Sequence, residues 1–499
     1  MAPTNPQGAP SNPAPATDAP EEAGLLGLIL RERRVLGEEQ RQASVSAMGE
    51  LFQQIDKGNV RLTPDMRPEI ERRLSEIDSK IGEQLDQVLH NPEYQGLEAT
   101  WRGLQGLVQQ AGEAGPEVRL RVLNVSKPEL LKDLPPGREF DQSALWRKVY
   151  EEEFGTFGGD PFGALIGDYE FSRHPQDIEL LKKISGVAAA SHAPFLAAAS
   201  PELFGWESYL EEADTPKLEK MFRGPEYLRW KSFRESDDSR YVGLCLPKVL
   251  LRLPYGRDTV AVEDFEFEED VDGRDHSKYL WGNAAYAMGG RLVEAFSDFG
   301  WCAAIRGLEN GGKVSDLPIH NFRTDAGAIA AKCPTEVALT DRREKELCDL
   351  GFIPLTYCKN TDYAVFFGTP SCHKPPKYST DEANANARLG AQLQYIMATS
   401  RVAHYLKAIA RDRIGKFTSL EQCHYDLNQW IRGYVTQDET SSDETKARFP
   451  FYDARIDVDE VPGKPGCYNA TAYLRPHFQL DELTVHLSLV AELPESTRS

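Results

Sequence analysis

The stretch ALIGDYEF at residues 164–171, followed by DIELLKKIS at 177–185, decides the fold class. The first is a short run of strand length, and the second repeats its apolar residues at helical spacing. Working outward, strands are expected at 336–340, 352–357 and 363–367, and helices at 278–299 and 341–350. Strands interleaved with helices place the middle of the chain in a mixed α/β, α+β class.

Toward the amino end, 63–110 reads as helix throughout. Ile70, Leu74, Ile77, Ile81, Leu85 and Val88 recur at threes and fours, and Asn91-Pro92 caps a second helix carrying Tyr94, Leu97, Trp101, Leu104 and Val108. Two packed helices are expected there, then a strand at 118–125. Residues 1–23 are Pro/Ala-rich with almost no large apolar side chain, so nothing offsets the entropy of ordering them and a flexible tail is expected. The next segment places Leu25, Leu26, Ile29 and Leu30 on one helical face. Alone it is too short to be a stable helix, so it needs a surface to dock on.

Beyond Pro375-Pro376 the character changes to two amphipathic helical stretches, 381–413 and 419–435, and then to the charged loop TQDETSSDETKAR, 436–448. Strands follow to the end, with PGKPG at 462–466 as turn chemistry. In the last strand Leu483, Val485, Leu487 and Leu489 share one face. The expected organisation is a tail (1–23), a helical linker segment (24–62), an α/β domain (63–374) and a C-terminal domain (375–499).

A length of 499 residues suits a multi-domain protein, and 40% hydrophobic with 27% charged residues is ordinary globular composition. The net charge of -21 disfavours nucleic acid and anionic membrane surfaces, which both need Lys/Arg neutralisation. The eight cysteines are scattered without a C-x-x-C pair, as reduced cytosolic thiols would be rather than a disulfide framework or zinc site. The first basic residue, Arg31, follows the apolar run 25–30, the wrong order for an export signal. The apolar stretch 184–206 is broken by His192, Pro194, Pro201 and Glu202 and does not read as a membrane span. The chain is expected in the cytoplasm.

Four places invite a chemical reading. Gly307 to Lys313 has the spacing of a phosphate-binding loop, but Val314 stands where a Ser/Thr hydroxyl would bind magnesium and extended chain follows instead of a helix. Asp168 and Glu170 point to one side of a strand as a general acid and base could, but a polar face or ion pairs with arginine explain them as well. Asp341 reads as a helix cap with Glu344 completing a capping box. His404, at helical spacing among apolar neighbours, reads as an interior or interface group. With no nucleophile or metal motif, no catalytic residue, cofactor or metal is assigned, and a structural role is favoured.

Seven strings then carry a resemblance: YQGLEATWRGL (94–104), PFGALIGDYEF (161–171), LLRLPYG (250–256), GWCAAIRG (300–307), PTEVALTDRRE (334–344), ANANA (383–387) and RPHFQL (475–480). In this order they resemble the TssC (VipB, EvpB) family of large contractile sheath subunits of the type VI secretion system. The resemblance implies a tail-sheath-like fold with a gp25-like C-terminal domain, and a partnership with a smaller TssB-like subunit. It also implies polymerisation with copies of itself around an Hcp tube, docking on a baseplate, and contraction. A sheath of another contractile injection particle or phage tail is the alternative. Strands exchanged at the chain ends tie sheath neighbours together, which gives the 483–489 strand a connecting role. In the family a Leu-rich amino-terminal helix is gripped by the ClpV unfoldase, but here Leu25-Leu26 is followed by Gly27-Leu28 rather than acidic residues. That helix is therefore either an unfoldase handle or a docking helix.

Overall fold

The computed structural model describes residues 67–214, 217–263, 265–324, 327–414, 419–462 and 467–479, with 46, 49, 50 and 53 as single residues. Leu25, Leu26, Ile29 and Leu30 lie outside the described residues, as do Leu483, Val485, Leu487 and Leu489. The chain divides into two compact units, 1–81 and 82–499. In the first, the described backbone is the opening of helix α1 (Arg67–Leu89), where Arg72 and Arg73 both pair with Glu76 along the helix surface.

The second unit begins with the rest of α1 and helix α2 (Pro92–Ala114). Asn91 caps α2: its side-chain oxygen accepts from the Glu93 and Tyr94 amides at 2.9 and 3.3 Å, and Pro92 occupies the first turn, where no donor is needed. The face that α2 buries is Gly103, Leu107 and Ala111. Tyr94, Leu97, Trp101 and Val108, expected as its packing face, are all exposed, Trp101 at 63%. Gly103 decides this: a Cβ there would lie 2.5 Å from the Tyr286 ring, so glycine lets α2 approach the helix that bears Tyr286.

The core is a six-stranded sheet of β1 (Leu165–Phe171), β2 (Phe195–Ala199), β3 (Val242–Leu246), β4 (Lys313–Val314), β5 (Ile353–Tyr357) and β6 (Ala364–Phe366), in the order β1-β2-β3-β5-β6-β4. The pairs β1-β2, β2-β3 and β3-β5 are parallel, while β6 and β4 close the far side antiparallel. Helix α3 (Pro175–Ser191) crosses over between β1 and β2, and α4 (Ala284–Phe299) packs on the other face. Phe195, Ala197 and Ala199 join the core with α3, while Leu196 joins the one with α4, as the twofold alternation of a strand requires. Both faces are covered, so β2 and β3 are buried along their whole length. They are absent from the sequence reading, in which 184–206 is one apolar stretch; it is the end of α3, β2 and a 3-10 turn. Among the described residues no helix is long and apolar enough to cross a membrane.

Other expectations need correction. Residues 336–340 form no strand, and the long helix expected from 278 begins at Ala284, capped by Asn283. Helix α5 (Asp341–Asp349) is capped by Thr340, whose hydroxyl accepts from the Arg343 amide, and not by Asp341. Glu344 is turned inward, where it accepts from the Cys348 thiol at 3.2 Å. Residues 118–125, expected as a strand, form no strand and pair with none among the described residues.

In the C-terminal part, the expected helix 381–413 is two, α6 (Asp381–Leu389) and α7 (Leu393–Arg413), and the second stretch is α8 (Leu420–Arg432), capped by Ser419. The charged loop contains a short helix, Asp443–Arg448. Strands β7 (Phe451–Glu460) and β8 (Tyr468–Pro476) form an antiparallel ribbon on α8. Trp301 seals this part: it is 5% exposed, in edge-on contact with Tyr434 and Phe451.

Candidate functional site

The β7–β8 ribbon presents the main feature suited to assembly. On one face Ala454, Ile456 and Val458 pack with Leu427 and Ile431 of α8, with Ala472 and Leu474 beside them; the other face carries Arg455 and Tyr473, the guanidinium 4.6 Å from the ring centre. The two edges are treated differently. At β7, the Asn428 side chain acts as a substitute strand: its amide donates to the Ile456 carbonyl at 2.6 Å, and its oxygen accepts from the Ile456 N–H at 3.0 Å. The Thr436 amide also donates to the Phe451 carbonyl at 3.0 Å.

Ile456 therefore turns its peptide groups away from β8. Its register partner is Ala472, so by antiparallel alternation Ala470, Ala472 and Leu474 turn theirs away from β7. Among the described residues β8 has no second neighbour, which leaves this nine-residue edge open. A row of unpaired N–H and C=O groups on a two-stranded ribbon is a template for another strand. The sequence reading places strands here but does not reveal the edge, because nothing in 420–432 signals that Asn428 reaches β7.

The chemical candidates resolve into structure. In the Gly307–Lys313 loop the Gly307 amide donates to the Phe366 carbonyl at 2.8 Å and the Gly312 amide to the Gly307 carbonyl at 3.0 Å. Two of the donors that would cradle phosphate are thus used within the fold, and β4 follows in place of a helix. Asp168 accepts from Thr100 Oγ1 at 2.5 Å and Asn283 Nδ2 at 3.3 Å, whereas Glu170 pairs with Lys248 Nζ at 2.8 Å, a lysine rather than an arginine. The two carboxylates serve separate contacts. His404 is buried, with Nε2 2.9 Å from the Ser191 carbonyl and its ring tilted against Phe154. Burial, only partly opposed by that hydrogen bond, pushes its pKa down to about 4.

Comparison with known proteins gives the context. The family described as EvpB/VC_A0108 matches twice, its tail sheath N-terminal domain over residues 71–373 and its tail sheath gpW/gp25-like domain over 382–493. The type VI secretion system sheath protein TssC1 of Pseudomonas aeruginosa is 46% identical over 483 residues, spanning 96% of this chain and 97% of that protein. Among solved structures, a chain of the anti-feeding prophage baseplate aligns with a TM-score of 0.35 and 10% identity, covering 75% of this chain and 83% of that one. A chain of the contracted sheath complex of the extracellular contractile injection system PVC aligns at 0.34 and 7%, covering 62% and 68%. Structural likeness at that level carries no further weight.

Proposed function

Because the chain belongs to the EvpB/VC_A0108 tail-sheath family, with a type VI secretion sheath protein as a near-full-length relative, we propose that it is the large structural subunit of such a sheath. In this reading it pairs with a smaller TssB-like chain, and the pairs polymerise helically around an Hcp tube in the cytoplasm, on a baseplate. Contraction switches the same subunits between two packings, so the role is mechanical and not enzymatic. A helical polymer needs heterologous contacts that do not close on themselves, and strand addition supplies them through main-chain hydrogen bonds. The 483–489 strand is the proposed connector, and the segment with Leu25, Leu26, Ile29 and Leu30 serves docking or ClpV recognition.

The observation that carries the proposal is the β8 edge, unpaired among the described residues, beside a β7 edge that Asn428 occupies at Ile456. Proline removes one N–H donor, and its effect depends on where that donor points. Ala472→Pro deletes a donor on the open edge, whereas Thr471→Pro deletes one inside the β7–β8 ladder. With the small subunit co-expressed, A472P is expected to leave the pair folded but to abolish pelletable polymer, while T471P lowers the melting temperature. Normal polymer from a folded A472P chain would contradict the use of this edge.

A further inference from the structure

One helical segment stands in a register that its own sequence does not ask for. Arg147–Gly155 continues the α-helical turn Ala144–Trp146 as a π-helix, in which each amide bonds to the fifth carbonyl before it rather than the fourth. Arg147, Lys148, Glu151, Glu152 and Glu153 are all good α-helix formers, and glycine comes only at the end. The wider turn is therefore imposed from outside the segment.

The contacts that impose it come from α7. His404, Lys407 and Arg411 stand three and four residues apart and so share one face of that helix. All three meet buried Phe154: the His404 ring centre lies 5.5 Å from the Phe154 ring centre, the Lys407 ammonium 3.2 Å from it, and Arg411 donates to the Phe154 carbonyl. Arg411 also donates to the Thr156 carbonyl at 3.0 Å, and Lys407 faces the Tyr150 ring at 5.2 Å. Tyr150 in turn stacks on Trp146 at 4.0 Å. Phe154 is thus the point where α7, in the region matched by the gpW/gp25-like domain, grips a helix of the N-terminal domain. Space lies beside the grip. Phe154, His404, Lys407 and Arg411 line a cavity of about 680 Å³, where a close-packed interior would leave none. Return of the segment to the α register would carry Phe154 around the helix axis, off Lys407 and Arg411, and the cavity gives its ring room to move.

We propose that Arg147–Gly155 is a two-register joint: seated α7 holds it in the π register, and a shift of α7 lets it relax to the α register and turn the chain that follows. A helix with two hydrogen-bond registers is a bistable element of the kind that a switch between two packings uses. The sheath reading above supplies only the occasion for the shift; the joint itself belongs to the single chain.

The test has two arms. A wider turn takes up surplus chain, so deletion of exposed Glu152 lets an α-helix join the same ends. This deletion is expected to leave the full chain folded, with a melting temperature within about 3 °C of wild type. Deletion of exposed Lys182 from α3 rotates Ile184 and Ala188 off the core and is expected to abolish folding. In the second arm the chain, co-expressed with the smaller subunit, is solved by electron cryomicroscopy as wild type and as Lys407→Ala with Arg411→Ala. The π register is expected in the wild type, and the α register with Phe154 displaced in the variant. Equal effects of the two deletions, or a folded double variant that keeps the π register, would overturn the proposal. Should the double variant misfold, the two deletions decide alone. Absence of any wild-type polymer would count against the sheath reading, and the melting comparison on the full chain would still judge the joint.

Discussion

His404 shows how a residue can look chemical and serve the interior. Its folded pKa of about 4 lies below the ordinary 6.5, so as pH falls from 6.5 toward 4 the unfolded chain takes up a proton that the folded one refuses. Stability is therefore lost on acidification, by about 2 kcal/mol at pH 5 for this group. His404→Gln keeps a donor for Ser191 without titrating, and its melting temperature should fall less than wild type between pH 7.5 and 5. Equal falls would show that the imidazole is not held neutral. His192 is also shifted down by burial and contributes in the same direction to both proteins. At Asn428 the expected effect is independent of pH. Asn428→Leu leaves the Ile456 peptide groups unpaired, which should cost about 1–3 kcal/mol in a denaturation measurement. A loss below about 0.5 kcal/mol would mean that water replaces the amide without penalty.

Among the elements, α2 was legible as a helix but not in its orientation. Its large apolar residues suggest the buried face, but glycine at 103 permits the closest approach, and a Cβ there would overlap Tyr286. Gly103→Val should destabilise the chain by about 1–3 kcal/mol through overpacking, seen as a lower melting temperature, whereas Gly106→Ala, with open space around it and alanine's better helix propensity, should leave the melting temperature unchanged or raise it. Equal effects would refute the α2–α4 contact. The strands β2 and β3 escaped the sequence reading for a related reason: burial on both faces removes the polar alternation that identifies β1. The capping of α2 was legible because Asn91-Pro92 acts locally, and the break between α6 and α7 was not, because both sides keep a helical pattern. The β8 edge depends on a contact between Asn428 and Ile456, 28 residues apart, which no local pattern encodes.

For the whole molecule, the seven ordered strings made the family readable before any coordinate, while the surfaces that join subunits became visible only in the fold. The β8 edge, unpaired among the described residues, and the exposed Tyr94, Leu97 and Trp101 face of α2 lie on one chain. Such surfaces suit a polymer whose contacts are completed by neighbours. The central claim is that this chain builds a sheath, and electron microscopy of the chain co-expressed with its small partner tests it most directly. Hollow tubules of helical symmetry, containing both chains in equal amounts, are the expected result; a monomer that forms no polymer with any partner, at any salt concentration, would contradict it.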